Sequence, residues 1–312
     1  MTGTIRAFSP IYLALAIAMG STVPQVHAQA QALSIFTSID VPGATETDAN
    51  DINDAGVIVG FYVDPSGMDH GWVRVGGTFR NVDVPGAAGT FAYGINDSNQ
   101  IVGWYTDSGL AEHGFMLDKG TFTTIDFPGA SLTNVWSING TGTVAGTYQD
   151  SSGVFHGFEE ANGRFFTIDI PGAIHTEIHG INGLGDTAGI YYISINGAEY
   201  ENGFVRHPNG ELTASFASFL DRIRDTKGAE AVGWYGENCC ILPLTPPFHG
   251  IVIFNPHSFN SVDFPGAVDT FCRGVNKSGG IVGVVGTYTD TSGIVHGFVA
   301  KNAAASLKLN SD

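Results

Sequence analysis

Four Asp-His pairs recur with the same spacing of six residues: Asp64 with His70, Asp107 with His113, Asp150 with His156, and Asp290 with His296. An imidazole beside a carboxylate is a pairing that can bind a metal ion or move protons. A metal site needs three or four converging ligands, whereas these pairs fall in separate copies of one pattern. They therefore read as structural hydrogen bonds that set a hairpin loop and fix the imidazole tautomer. A second set of ionisable residues is not copied: His175, Glu177 and His179, then Asp221, Arg222, Arg224 and Asp225, then Arg273. In an extracellular hydrolase or lyase, Glu177 or Asp221 would serve as acid or base, with His179, Arg224 or Arg273 orienting anionic groups. No Gly-x-Ser-x-Gly, His-Glu-x-x-His or phosphate loop occurs, and no loop has the alternating Asp pattern of known calcium sites. Neither metal nor cofactor is expected.

The elements that hold these residues form an internal repeat. Pro-Gly-Ala begins at Pro42, Pro85, Pro128, Pro171 and Pro265, at intervals of 43, 43, 43 and 94 residues. Before each copy stands Phe-x-x-(Ile/Val)-Asp, and after it comes a turn Asn at Asn53, Asn96, Asn139, Asn182 and Asn276. Gly-x-Tyr then occurs six times, ending at Tyr62, Tyr105, Tyr148, Tyr191, Tyr235 and Tyr288. His-Gly-aromatic closes the unit, as in His113-Gly114-Phe115, with Asn202-Gly203-Phe204 and His249-Gly250-Ile251 as variants. The repeat number is six, the fifth copy being degraded.

Each unit splits into four short apolar runs separated by turn residues, which predicts four strands. A period near 43 suits a propeller blade, and helix signals are absent. The expected fold is all-β: a six-bladed β-propeller of four-stranded antiparallel blades over residues 35–302. The pattern opens with a fourth strand and ends with a third, so the N-terminal strand should complete the last blade and close the ring.

At Gly94-Ile95-Asn96-Asp97, Ile101-Val102-Gly103 and His113-Gly114-Phe115 the chain resembles the secreted bacterial HAF-repeat family, with Gly where the family signature has Ala. The resemblance spans about residues 35–302. It implies an extracellular repeat protein and supplies no catalytic or binding residues.

Copied residues read as frame: Asn at hairpin positions, Pro and Gly at turns, Tyr and Phe packing between blades. Specificity should then lie at positions free to differ. Five and three residues before the turn Asn stand Asp48 and Asn50, Phe91 and Tyr93, Asn134 and Trp136, Glu177 and His179, and Phe271 and Arg273. On an innermost strand these pairs, together with Arg224, should ring one mouth of the central channel. Such a mixture of aromatic, amide and charged groups suits a polar ligand such as a saccharide. The fifth unit also inserts Glu237 to Phe248, which should protrude on the same face.

Composition narrows the partners. The 312 residues carry 30 Asp and Glu against 13 Lys and Arg, a formal charge of −17 that repels nucleic acid. The expected partner is a polysaccharide or an extracellular protein, met by a monomer. Residues 1–28 read as a signal peptide: Arg6, an apolar stretch from Ile11 to Met19 too short to span a bilayer, then small residues at a cleavage site. Residues 29–34 read as a linker and 303–312 as a flexible tail, leaving a secreted protein with no membrane insertion after cleavage. Cys239, Cys240 and Cys272 are an odd number, so no dense disulfide framework is expected. A bond from Cys239 or Cys240 to Cys272 and three buried thiols both remain open.

Overall fold

The computed structural model describes residues 33–215, 219–223, 231–236, 247–255, 258–278 and 281–302. The proposed signal peptide, Arg224, Cys239, Cys240, most of the fifth-unit insertion and the tail lie outside these residues.

Six four-stranded antiparallel sheets form a six-bladed β-propeller. The first blade runs through Glu46–Ile52, Ile58–Val63, Asp69–Val75 and Thr78–Asn81 from inside to outside. The first strands of neighbouring blades pack against one another all the way round, blade six against blade one included. The N-terminal strand Leu33–Ile39 pairs with Val295–Asn302 as the outermost strand of blade six, so the two ends of the repeat region are joined as the phase of the pattern predicts.

Three devices repeat with the sequence. Pro-Gly makes a tight turn in which Gly43 has φ of 86° and Ala44 N–H donates to the Val41 carbonyl. The turn is pinned by a buried hydroxyl, since Val41 N–H donates to Thr47 Oγ1 at 3.1 Å and Val84 N–H to Thr90 Oγ1 at 3.1 Å. The turn Asn does more than shape its own hairpin. Asn53 accepts Val57 N–H on Oδ1 and donates from Nδ2 to the Asn96 carbonyl of the next blade; Asn96 reaches Asn139, and Asn139 reaches Asn182, in the same way.

The first strand of every blade also carries one extra residue, a bulge, at Asn50, Tyr93, Trp136, His179, Asp221 and Arg273. Opposite the bulge lies the Gly of Gly-x-Tyr. A methyl group on Gly103 would collide with the Phe91 carbonyl, and Gly60, Gly146, Gly189 and Gly286 meet the equivalent carbonyls. Between the blades the aromatic of His-Gly-aromatic fills the core: Trp72, Phe115, Phe158, Phe204 and Phe298 are fully buried. Cys272 is buried among Val232, Val252 and Phe298 where blades five and six meet.

Candidate functional site

The antiparallel register gives the two faces of the ring different inventories. One face carries the Pro-Gly turns, the hairpins between second and third strands, and the start of each first strand. The other carries the Asn turns and the hairpins between third and fourth strands.

The repeated histidines stand on the first face, each held between two carboxylates. His70 places Nδ1 3.1 Å from Asp83 and Nε2 3.6 Å from Asp64. His113 lies 2.9 Å from Asp126 and 3.8 Å from Asp107, His156 2.9 Å from Asp169 and 3.5 Å from Asp150, and His296 2.8 Å from Asp40 and 3.4 Å from Asp290. The stronger partner is therefore the Asp of Asp-x-Pro-Gly, beyond the six-residue pair read from the sequence. Tyr62, Tyr105, Tyr148 and Tyr288 stack on these imidazoles. The hairpin Asp is occupied with its own loop: Asp64 Oδ1 accepts from the Ser66 hydroxyl and from Ser66 and Met68 N–H groups. Those bonds hold Asp64 down at about 2, and the Ser152 hydroxyl and Val154 N–H do the same for Asp150. Among the described residues no group of three or more His, Cys, Asp or Glu is placed to hold a metal ion.

Inside this frame lie the uncopied residues. The bulges bring three of them into ring contact across three blades: Tyr93 meets Trp136 edge to face at 4.5 Å, and Trp136 meets His179 at 5.4 Å. Phe61 extends the row, 6.2 Å from Tyr93 and 5.1 Å from Phe91, which itself stacks on Trp104 at 3.9 Å. Polar groups border the rings. Trp136 Nε1 donates to Thr147 Oγ1, Asn134 Nδ2 donates to Glu112 Oε2 at 3.0 Å, and Glu177 Oε2 lies 3.4 Å from His179 Nε2.

Across the axis, Arg273 lies over the Phe271 ring at 5.6 Å, and Phe271 packs on Trp234 and Phe248. Asp48, on the neighbouring first strand, is pushed up to about 7. Burial is the main cause; the Arg273 charge opposes it, and Glu46 and Asp69 add to it. Two of the bulge residues are buried, Asn50 at 2% and His179 at 6% exposed, and Asn50 donates from Nδ2 to the Ala92 carbonyl, a tie between blades one and two. Arg224 lies outside the described residues, as does the Asp221 side chain; by register the Asp221 backbone occupies the bulge of blade five.

Blade four adds a feature absent from the sequence reading. Its middle strands, Thr187–Ile195 and Ala198–Arg206, run to nine residues and turn through Asn196 and Gly197 at φ of 54° and 83°. This longer hairpin carries Tyr192, Glu199 and Glu201 up beside Glu177; burial and those three carboxylates raise the Tyr192 hydroxyl. Asn-Gly between alternating apolar residues is the signal that marks such a hairpin.

Charge is distributed unequally. Besides the five Asp residues of Asp-x-Pro-Gly and the hairpin Asps, the first face carries Glu46 and Glu177 on innermost strands and Asp69 and Glu112 at the starts of third strands. Among the described side chains, Arg273 is its one Lys or Arg. Arg74, Lys119, Arg164, Arg206 and Lys301 all stand at the opposite ends, where third strands give way to fourth, and Arg80 lies on the outermost strand of blade one.

No family model matches the chain, and no curated protein sequence matches it. Solved structures do. AofleA from Arthrobotrys oligospora superposes with a TM-score of 0.55 at 13% identity, covering 85% of each chain. The Trypanosoma rangeli sialidase gives 0.52 at 8% identity over 86% of this chain and 56% of its own. A mutant Aleuria aurantia lectin in complex with Fucα1-6GlcNAc gives 0.49 at 12% identity, covering 82% of this chain and 91% of its own. At these identities the likeness is one of fold.

Proposed function

We propose that this chain is a secreted, non-catalytic propeller of the HAF-repeat kind that binds a saccharide or another extracellular polymer at the axial mouth of its Pro-Gly face. The ring contacts running Tyr93–Trp136–His179 across three blades carry the reading, because aromatic rings flanked by amides and carboxylates suit a sugar's apolar face and hydroxyl rim. The repeated Asp-His units are consumed by the frame, which leaves the uncopied residues for a ligand. Secretion rests on the character of residues 1–28. The family assignment rests on the six copies of the Asn turn, Gly-x-Tyr strand and His-Gly-aromatic signature. The test is protein lacking residues 1–28 on a glycan array, beside its Trp136→Ala and Tyr93→Ala variants. Binding that both substitutions abolish is the expected result; binding untouched by either overturns the axial site.

A hydrolytic reading draws support from Asp48, a carboxyl held near neutrality at the same mouth, as a general acid needs. Turnover of a polysaccharide that is lost in Asp48→Asn or Glu177→Gln while binding persists would select it.

A further inference from the structure

On the proposed reading the axial rings are reached from a face whose described charge is almost wholly of one sign, and this restricts what they can hold. The Asp-x-Pro-Gly carboxylates stand around the rim with side-chain exposures of 36% at Asp83 and 49% at Asp169, so their field reaches solvent. The hairpin carboxylates are kept ionised well into acid by the hydroxyl and N–H groups that bind them. Glu112, on the third strand of blade two, is tied to Asn134 on the innermost strand of blade three, and Glu177 to His179, beside the Trp136 ring. Arg273 is the one described cation there, and it is taken up by the Phe271 face and the Asp48 carboxyl. A uronate or sulfated polymer approaching this surface is repelled, while a polycation is drawn in and concentrated. Tyr and Trp faces add attraction for an ammonium group.

We infer that the ligand is an amine-bearing saccharide, a polymer of glucosamine type, whose ring faces stack on Tyr93 and Trp136 and whose ammonium groups lie against Glu112 and Glu177. This rests on the saccharide reading of the axial mouth and adds the charge class to it. A basic protein segment shares the positive charge but lacks stacked sugar rings, so it separates from a glycan by its independence of Trp136.

The experiment titrates the protein lacking residues 1–28 with glucosamine oligomers, N-acetylglucosamine oligomers of the same length, glucuronate-containing oligomers and oligolysine, at about 50 and about 500 mM salt. The expected result is binding of the glucosamine oligomer that weakens about tenfold or more at high salt and about tenfold in Trp136→Ala. N-acetylated or uronate oligomers bound as well or better overturn the charge class and leave the saccharide reading standing. Oligolysine bound more tightly than the amino sugar, with Trp136→Ala without effect, overturns the glycan in favour of a basic protein. Binding of no saccharide at all overturns both. Circular dichroism of Trp136→Ala and a parallel Trp136→Phe variant separates lost contact from lost fold.

Discussion

Asn276 of the last blade donates from Nδ2 to the backbone carbonyl of Asn53 in the first, 2.9 Å away, across 223 residues of sequence. The bond continues around the closure point the relay that Asn53, Asn96 and Asn139 make from blade to blade. These four Asn residues each accept on Oδ1 from their own hairpin and donate from Nδ2 to the next blade, so Asp fails at the donor and Ser at the reach. Asn276→Ala leaves the Asn53 carbonyl and the Gly283 N–H without these partners, and a loss of about 1–3 kcal/mol in urea unfolding is expected. A change within the error of that measurement would show that the relay is idle.

Much of this architecture is legible in the sequence. The period sets the blade number, and the offset between first and last repeat elements sets the closing strand. The partnership of His with the Asp of Asp-x-Pro-Gly is less legible, because His113 and Asp126 meet at the open end of the hairpin between third and fourth strands, 13 residues apart, and not across a short loop. Variability alone marks the position three residues before the turn Asn. That it is a bulge in all six blades follows from the close approach of Gly-x-Tyr, which no single-strand pattern reveals. Asn50, read from the sequence as a ligand contact, also makes a blade contact in the fold: its amide reaches a neighbouring carbonyl, a role that sequence variation does not reveal.

Gly103 tests the bulge. An added methyl group must push the Phe91 carbonyl aside, and the Phe91 and Trp104 stack moves with it. Gly103→Ala should cost about 3 kcal/mol and weaken any ligand held by Tyr93 and Trp136. A Tm equal to that of the parent protein would contradict the packing.

Stability should rise as the solution is acidified from pH 8 to pH 5. Burial works against a charged His296, but hydrogen bonds to Asp40 and Asp290 outweigh it and raise its pKa. A raised imidazole contributes fully below its unfolded value of about 6.5 and loses that contribution as pH rises through the folded value. Asp48, raised to about 7, acts in the same direction, because the native state keeps a proton that the unfolded state has released. Asp64 and Asp150 act oppositely: held near 2, they contribute above the ordinary carboxylate range and lose that contribution as pH falls toward 2. A Tm that climbs steadily from pH 5 to pH 8 would refute the balance.

Asp48→Asn removes the proton-linked cost at neutral pH. The variant should be more stable than the parent at pH 8 by about 1–2 kcal/mol, less than full linkage allows because water reaches the mouth, and should match it near pH 4. Equal stabilities at both pH values would mean that Asp48 ionises normally.

The pairing of Leu33–Ile39 with Val295–Asn302 bears on how the molecule is made. The first strand of the repeat region to be synthesised has its partner in the last, so ring closure must wait for nearly the whole chain. Until then blade six is one strand short and the early strand is an unclaimed edge, open to capture by a second nascent chain. Rejoining the ends by circular permutation, so that blade six is built from one continuous stretch, should shorten that wait and suppress such entanglement.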